Sequence, residues 1–378
     1  MIKLALFTGN RAEYGLMRSL INVLNNDDFF ELHLLVSSSH VDKKFGYTLK
    51  EIEADGIKPN FLISVDKNKD EDMAYKTSEI MKNVASSLKT INPRYLIVLG
   101  DRYETFGAAS AAHLLGIEII HLHGGETTLG AIDDKLRNSI SQLSTLHFTS
   151  ADIHKRKVEN ITGDNTKVFD VGPLVIDGLI NLKKISREEF QFKTKYNFSK
   201  KNFLITFHPE TLAPDLGISG LKNVLKVLEN YECNILFTSP NPDKGSDQIF
   251  EIIQKFIKKK PSKSMLIHSL GQELYLNALI LFDCVIGNSS SGIIEAPLIK
   301  SKVLNIGDRQ KNRYRFGPVI DVSNDINEIA KIINKIYIDK NNFSTNFSQF
   351  KKLYCDKTPS IKIINKIKEL SKINKEIF

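Results

Sequence analysis

Apolar segments rich in β-branched residues alternate along most of the chain with amphipathic segments of helical spacing. In the N-terminal half these apolar segments are Lys3–Thr8, Glu31–Val36, Phe61–Val65, Tyr95–Leu99, Ile117–Leu122, Leu146–Thr149 and Lys167–Val171. After a pause near Gly172-Pro173 they continue as Asn202–Phe207, Asn234–Thr238, Met265–His268, Cys284–Ile286 and Val303–Ile306. Such alternation is typical of βαβ units. The sequence therefore predicts an α/β protein with two Rossmann-like, doubly wound parallel sheets.

The length of 378 residues also fits two domains better than one core. We predict an N-terminal Rossmann-like domain over residues 1–173, which carries acidic residues, and a C-terminal Rossmann-like domain over 174–355. The Ile and Leu spacing from Ile361 to Phe378 predicts a closing helix. We expect the segment 356–378 to pack back across the domains.

The net charge of +8 raises the question of a nucleic-acid partner. The basic residues are scattered or lie on helix-like surfaces such as Lys255–Lys260, and the chain has no Trp. Solvated helix faces explain this pattern without a nucleic acid, since no recognition motif accompanies it. We therefore expect no nucleic-acid partner, and a mild positive field would suit a small anionic substrate.

Neither a membrane nor an oxidising compartment is expected. No run of about 20 uncharged apolar residues occurs, and the first residues resemble a strand rather than a signal sequence. Cys233, Cys284 and Cys355 lie far apart, without CxxC or Cys/His spacing. The sequence thus predicts a cytoplasmic protein with reduced, structural cysteines.

Polar clusters directly follow the predicted strands. These clusters are Gly9–Arg11, Gly100–Arg102, His121–Glu126, Phe207–Glu210, Pro240-Asn241 and Gly287–Ser289. Doubly wound sheets bind ligands at the carboxyl ends of their strands, so two facing domains would line one cleft. Neither GxGxxG nor GxxxxGK[ST] occurs, which removes support for dinucleotide redox chemistry and P-loop hydrolysis. We expect no cofactor.

The segment Gly287–Pro297 (GNSSSGIIEAP) runs from an apolar strand towards a predicted helix. Its backbone N–H groups and the positive helix end would attract a phosphate. Glu295 could accept hydrogen bonds from ribose hydroxyls, or it could be a plain surface residue. Arg309 and Arg313 could compensate a diphosphate, although a solvated loop would explain them equally.

A second set of candidates could move protons. Asp101 lies beside Arg102, which suggests a held anion, although Asp101 could instead cap the next helix. His123 and Glu126 flank two glycines, in an arrangement that also fits a tight turn with an exposed Glu.

The remaining proton-transfer candidates also have structural alternatives. Asp133 and Arg137 share one helix face, where such a pair is often a surface salt bridge. His208 follows a strand and precedes a proline, which favours a ligand-facing position over a core position. His121 and His123 alternate along a strand, so no metal site is expected.

In this order and at these spacings, the clusters resemble the hydrolysing UDP-N-acetylglucosamine 2-epimerases of sialic acid synthesis, within the UDP-GlcNAc 2-epimerase family. The matching segments are Gly9–Tyr14, Gly100–Arg102, Gly124–Glu126, Asp133–Arg137, Phe207–Pro209, Gly287–Ser290 and Gly307–Gln310. The resemblance implies a GT-B-type fold with a UDP-sugar in the central cleft, and a homodimer or homotetramer.

The resemblance also implies roles. It makes Asp101 and Asp133 catalytic carboxylates and gives Arg137 and His208 supporting roles. With the residue-based candidates added, the predicted UDP-binding set is Arg11, Arg102, Asn241, Ser289, Ser290, Ser291, Gly292, Glu295, Arg309 and Arg313. Where the family usually has Glu, this chain has His123, so either His123 or Glu126 would serve as the second proton-transfer residue.

The implied reaction eliminates UDP to give a glycal, which is then hydrated to the free 2-epimerised sugar. The sugar stays open between UDP-N-acetylglucosamine, which leads to sialic acid, and UDP-N,N'-diacetylbacillosamine, which leads to legionaminic acid. Two rival interpretations share the architecture: a retaining glycosyltransferase, which needs an acceptor, and a nucleotide-sugar sensor, which binds without turnover.

Overall fold

Thirteen parallel-paired strands form two sheets in the computed structural model, which describes residues 1–37, 40, 47–65, 72–128, 132–210, 213–240, 245–317, 319–338 and 358–376. The first sheet contains β1 (Ile2–Thr8), β2 (Phe30–Ser37), β3 (Phe61–Ile63), β4 (Tyr95–Leu99), β5 (Glu118–Leu122), β6 (Leu146–Thr149) and β7 (Val168–Asp170). The second contains β8 (Asn202–Thr206), β9 (Asn234–Thr238), β10 (Ser264–Ile267), β11 (Cys284–Gly287), β12 (Val303–Ile306) and β13 (Ile320–Val322).

Helices connect these strands. Those of the N-terminal half are α1 (Arg11–Asn25), α2 (Leu49–Ala54), α3 (Met73–Ile91), α4 (Tyr103–Leu114), α5 (Asp133–Leu143), α6 (Asp152–Thr162) and α7 (Val175–Ile180). They are followed by α8 (Arg187–Thr194), α9 (Ile218–Leu228), α10 (Ser246–Lys259), α11 (Gly271–Leu281), α12 (Glu295–Leu298), α13 (Ile326–Ile338) and α14 (Pro359–Glu376).

The chain divides into two compact units. One comprises Met1–Glu126, Asp133–Asn181 and Tyr354–Phe378, and the other comprises Thr127–Ile132 and Leu182–Leu353. Each unit contains one sheet. Their strand orders are β3-β2-β1-β4-β5-β6-β7 and β10-β9-β8-β11-β12-β13. Both orders are Rossmann-like, with a switch point between the first and fourth strands of the unit.

Apolar side chains on both faces of the first sheet explain why its strands read as continuous hydrophobic runs. One face packs against α1 through residues such as Leu20 and Leu24, and the other against α3 through Val84 and Leu88. The second sheet has its own core, which includes Phe203. The predicted fold class is therefore confirmed for each sheet.

The closing helix α14 belongs to the first unit. Ile363, Ile364 and Ile367 lie in the same buried cluster as α1. Both the backbone N–H and the hydroxyl of Ser360 donate to Oδ2 of Asp177 on α7, at 3.0 and 2.7 Å. Since these bonds satisfy an N-terminal backbone group, they fix where α14 begins.

Strand β13 had no prediction from the sequence. It is three residues long, and Ile320 is 40% exposed. A short, half-exposed strand lacks the apolar run by which the other strands were recognised. None of the helices in the described ranges is both long and apolar enough to cross a membrane.

Candidate active site

Four of the predicted functional segments lie at the switch points of the two sheets. In the first unit, Gly9–Arg11 follows β1 and Gly100–Arg102 follows β4. In the second unit, His208 lies just beyond β8 and the serine loop, residues 288–294, follows β11. At a switch point the strand order reverses, so the loops after the two neighbouring strands run to opposite faces of the sheet. The crevice between these loops is where sheets of this type bind their ligands.

An ion pair joins the buried Arg137 to the partly buried Asp101 in the first unit. Nη2 of Arg137 donates to Oδ2 of Asp101. Its Nη1 donates to the backbone oxygen of Glu126 at 2.7 Å and lies 4.0 Å from Oδ1 of Asp134. Burial disfavours the charged form of Arg137, but the neighbouring carboxylates, Asp101 first, raise its pKa above the usual value.

Two structural alternatives for these residues are wrong. Arg137 is only 2% exposed, so it does not form a surface salt bridge with Asp133. The N-cap of α4 is Arg102 and not Asp101, and the Arg102 side chain makes no capping bond. Asp133 is the first residue of α5, one turn before Arg137, and its charge also acts on Arg137.

The segment after β5 is buried at both His123 and Glu126. Glu126 is 2% exposed, which makes the exposed-turn alternative wrong. Nδ1 of His123 lies 3.1 Å from Oε1 of Glu126, and the hydroxyl of Ser150 donates to the same oxygen at 2.8 Å. Nε2 of His123 accepts the backbone N–H of Leu174 at 3.2 Å.

The paired glycines of this segment pack against protein. A Cβ atom on Gly125, which has φ +80°, would lie 2.3 Å from the backbone oxygen of His154. A Cβ on Gly124 would lie 3.0 Å from both Nδ1 of His121 and Oγ of Ser141. Only glycine fits such close approaches.

His121 begins the predicted segment His121–Glu126, but no role for its side chain was predicted from the sequence. Its Nε2 lies 2.8 Å from the backbone oxygen of Gly100, and its Nδ1 lies 3.0 Å from Oγ of Ser141. A carbonyl can only accept, so Nε2 carries the proton and Nδ1 accepts from the serine. Burial lowers the pKa of His121 to about 3, so the ring is neutral. A histidine inside an otherwise apolar strand was the available signal.

A second residue without a predicted role is Glu13, near the start of α1. Its carboxylate accepts from the backbone N–H of Gly9 at 2.6 Å and from Nδ2 of Asn10 at 2.7 Å. Burial, and then the charge of Glu104, raise the pKa of Glu13 to about 8. These bonds shape the turn that presents Arg11, the first residue of α1.

Arg102 was predicted to hold an anion, and in the first unit it pairs with an internal carboxylate. Its Nε lies 3.1 Å from Oε2 of Glu104. Both residues are buried. The anion that Arg102 holds within the first unit is therefore the carboxylate of Glu104.

The serine loop of the second unit differs from the predicted strand-to-helix connection. Ser290–Gly292 form a 3₁₀ turn, and α12 contains only the four residues Glu295–Leu298. A helix does follow the loop as predicted, but one helical turn has only a small dipole, so little of the expected attraction for a phosphate comes from it. Oγ of Ser289 accepts from the N–H of Ser291 at 3.4 Å.

A tyrosine that the sequence interpretation missed also contacts this loop. The hydroxyl of Tyr275, on α11, is hydrogen-bonded to Oγ of Ser291. Oγ of Ser291 in turn lies 3.3 Å from Oγ of Ser289. Local side-chain hydrogen bonds thus fix the loop more than a helix does.

Asn288 connects three predicted segments of the second unit. Its side-chain oxygen accepts from the N–H of His208 at 2.7 Å, and its Nδ2 donates to the oxygen of His208 at 2.9 Å. Its own backbone oxygen accepts from Nη1 of Arg309 at 3.1 Å and from Nε2 of Gln310 at 2.9 Å. The strand-end loops therefore form one hydrogen-bonded group.

Arg309 is only 8% exposed, so the solvated-loop alternative is wrong for this residue. Arg313 donates to Oε1 of Gln310 at 3.2 Å. Glu295, on α12, has a buried Oε2 without a hydrogen-bond partner among the described residues. Burial raises the pKa of Glu295 to about 7, although the charge of Arg313 opposes the shift. An orphaned buried carboxyl oxygen points to a missing donor.

Some predicted residues stay undecided. His208 is buried, as both alternatives for it allow. Asn241 and Cys355 lie outside the described residues. Cys233 and Cys284 are buried free thiols. Across the described ranges, no group of three or more His, Cys, Asp or Glu side chains could hold a metal ion.

The two Rossmann-like sheets define a protein of the GT-B-type fold class. A solved UDP-GlcNAc 2-epimerase from Methanocaldococcus jannaschii, in complex with UDP-GlcNAc and UDP, has this fold. The two chains give a TM-score of 0.76 at 17% identity, with 97% of this chain and 100% of that chain covered.

Sequence comparison adds the family. Residues 22–368 match the model of the UDP-N-acetylglucosamine 2-epimerase family. A Campylobacter jejuni protein named GDP/UDP-N,N'-diacetylbacillosamine 2-epimerase (hydrolyzing) is 34% identical over 336 residues, or 88% of this chain and 87% of the relative. The polysialic acid biosynthesis protein P7 of Escherichia coli is 35% identical over 344 residues, or 88% and 86% of the two chains.

The chain therefore belongs to the UDP-N-acetylglucosamine 2-epimerase family and is a UDP-sugar 2-epimerase of the hydrolysing type. This confirms the resemblance found in the sequence. The glycosyltransferase and sensor interpretations lose their support.

Proposed function

We propose that the enzyme converts UDP-N-acetylglucosamine and water into UDP and N-acetylmannosamine, the free 2-epimer, for sialic acid synthesis. The observation that carries this proposal is the ion pair between the partly buried Asp101 and the buried Arg137 at the switch point of the first sheet, in a chain of this family. Carboxylates held in this way suit proton transfer next to a developing positive charge.

The chemistry explains why carboxylates and cations are both needed. The proton on carbon 2 is not acidic until the bond from carbon 1 to the diphosphate begins to break. Elimination removes that proton and UDP together and leaves a glycal. Water then adds its hydroxyl to carbon 1, and a proton returns to carbon 2 from the other face. The transition states carry oxocarbenium-like charge, which carboxylates stabilise.

The first unit supplies the acid–base groups of this proposal. Asp101 and Asp133 are the catalytic carboxylates, and Arg137 fixes the position of Asp101 through their ion pair. Either His123 or Glu126 provides the second proton-transfer group. General acid–base catalysis of this kind contributes typically about 10²–10⁴-fold to the rate.

The second unit supplies most of the UDP contacts of the proposal. The orphaned Oε2 of Glu295 accepts from a ribose hydroxyl. Arg309 and the serine loop bind the diphosphate, since charged donors are the natural partners of phosphate oxygens. Asn241 and Arg313 are further proposed contacts in this unit, and Arg11 and Arg102 are proposed contacts from the first unit. His208 keeps a supporting role in catalysis.

A second candidate substrate has its own support. The Campylobacter jejuni relative carries N,N'-diacetylbacillosamine in its name, at 34% identity. The reaction would be the same, with an acetamido group at carbon 4 and a methyl group at carbon 6 in place of the hydroxyls. A pocket built to hydrogen-bond hydroxyls discriminates strongly against a substrate that lacks them.

Parallel assays with the two UDP-sugars test the proposal. We expect UDP release and a 2-epimerised product from UDP-N-acetylglucosamine, with kcat/KM at least about tenfold above the value for the diacetylbacillosamine sugar. A higher kcat/KM for the diacetylbacillosamine sugar would show that this second sugar is the substrate. Turnover of neither sugar would contradict both. Light scattering on the same sample tests the expected homodimer or homotetramer.

A further inference from the structure

The hydrogen bonds of His123 restrict what its ring can do. Nε2 receives the backbone N–H of Leu174, so this nitrogen must present its lone pair and carries no proton. The proton of the neutral ring then lies on Nδ1, which is 3.1 Å from Oε1 of Glu126. Both ring nitrogens are thus engaged inside the protein, and the residue is 5% exposed.

This arrangement differs from a catalytic histidine–carboxylate pair in the partner of the second ring nitrogen. In such a pair the carboxylate accepts from one ring nitrogen while the other nitrogen faces the reacting group. Here that second nitrogen faces the backbone N–H of Leu174. His123 therefore has no nitrogen with which to take the carbon 2 proton.

Glu126 links this ring to the charge pair of the site. Its Oε1 is held by His123 and by the hydroxyl of Ser150. Its backbone oxygen accepts from Nη1 of Arg137, whose Nη2 donates to Asp101. The position of Glu126 therefore helps to set the position of Asp101.

We propose that His123 is a positioning residue, which holds Glu126 and through it the Arg137–Asp101 pair, and that it exchanges no proton with the sugar. Of the two candidates for the second proton-transfer group, Glu126 then remains. This inference rests on the proposed function.

Two substitutions of His123, to Asn and to Asp, have the same shape as each other and differ in charge. They separate a positioning role for His123 from a role as the base. His123 has φ +60°, a left-handed conformation that Asn and Asp both tolerate. In His123→Asn the side-chain amide can still donate to Glu126. In His123→Asp a carboxylate would face the carboxylate of Glu126 and could only repel it. If His123 were the base, the carboxylate variant should be the better enzyme.

We expect His123→Asn to lower kcat less than about tenfold, the usual effect of one lost neutral hydrogen bond, with an unchanged shape of the kcat–pH profile. His123→Asp should lower kcat about a hundredfold or more, because it breaks the hold on Glu126. KM should change little in both. Thermal melts and titration with UDP check that each variant folds and binds.

The inference is overturned if His123→Asp is the more active variant, or if both variants fold, bind UDP and lose turnover equally. Should both unfold, ¹⁵N shifts of labelled histidine in the wild-type enzyme decide, with His123→Gln for assignment. A proton on Nδ1 alone supports the inference, and one on Nε2 contradicts it. Wild-type enzyme that turns over neither sugar would contradict the proposed function instead.

Discussion

Asp101 and Arg137 form the charge pair on which the proposed chemistry depends. We expect Asp101→Asn to lower turnover about a hundredfold or more, because an amide cannot act as a base. UDP binding should stay nearly unchanged, since Asp101 is proposed to transfer a proton and not to contact UDP. Rates of UDP release and isothermal titration with UDP measure the two effects.

Asp134→Asn is the matched control for Asp101→Asn. Asp134 lies 4.0 Å from Nη1 of the same arginine, and we assign it no role in catalysis. Its substitution should change turnover less than about threefold, as expected for a weak charge interaction. Full turnover in folded Asp101→Asn protein would remove Asp101 from the mechanism.

Arg309 is the cation we expect to contribute most to UDP binding. Arg309→Ala should weaken the binding of UDP by about 1.5–3 kcal/mol, the usual contribution of a charged hydrogen bond. Lys311→Ala is the control. Lys311 is a cation two residues after Arg309, and its side chain is 60% exposed. Titration curves that coincide for both variants and the wild type would contradict this role.

Glu295 gives a pH-dependent prediction. Its folded pKa of about 7 exceeds the usual 4.5, so the folded protein binds the proton more tightly than the unfolded chain. Stability is therefore lost as the pH rises from 4.5 to 7, by at most about 3 kcal/mol at 1.36 kcal/mol per unit. Glu295→Gln removes this loss.

Thermal melts at pH 5 and pH 8 test the sign. Glu295→Gln should melt above the wild type at pH 8 and within about one degree of it at pH 5. The same variant should bind UDP more weakly if the carboxylate accepts from the ribose. The exposed Glu273 on α11 offers a control, since Glu273→Gln should leave both melts unchanged. A lower melting temperature at pH 8 would refute the burial argument.

Single residues show where sequence reasoning reached its limit. The residue types at the strand ends were predictable, because chemistry restricts them. Whether Arg137 is a surface or a buried residue was not, since burial depends on what packs over α5. The contacts of His121 and Glu13 were not predicted for the same reason: their partners, Gly100 and Gly9, are backbone groups that become neighbours only after folding.

At the scale of elements, the sharpest constraint is where β11 meets the serine loop. Gly287 has φ +143°, and a Cβ there would lie 1.9 Å from the backbone oxygen of Thr206 on β8. Gly287→Ala should therefore cost at least about 3 kcal/mol, from strain and collision together. Urea unfolding followed by fluorescence or circular dichroism measures the loss.

The control for this substitution is Gly163→Ala at the end of α6. Gly163 also has a positive φ, of +69°, but no atom lies within 4 Å of its missing Cβ. Only the conformational cost of about 1 kcal/mol should then remain. Equal losses for the two variants would show that the contact with Thr206 is unimportant.

Most strands were predicted within one or two residues of their observed ends, because buried parallel strands read as continuous apolar runs. The helix predicted after Cys284–Gly287 is present, but its length was not predicted. Pro297 and the serines of the loop favour turns over a long helix, so the chain forms a 3₁₀ turn and a four-residue helix.

For the whole molecule, the order of strands explains why separate motifs meet. In each unit the first and fourth strands are neighbours, so Gly9–Arg11 meets Gly100–Arg102, and His208 meets Asn288. The alternation of apolar and amphipathic segments predicts this class of sheet. It does not predict the close contacts that decide which side chains are buried.

One measurement tests the central claim most directly. The wild-type enzyme is incubated in heavy water with UDP-N-acetylglucosamine, and separately with UDP-N,N'-diacetylbacillosamine, without any acceptor, and the products are followed by NMR. Elimination and hydration predict UDP together with a free 2-epimerised sugar that carries deuterium at carbon 2, from at least one of the two. UDP release without epimerisation, or an epimer that keeps its original hydrogen at carbon 2, would contradict the mechanism.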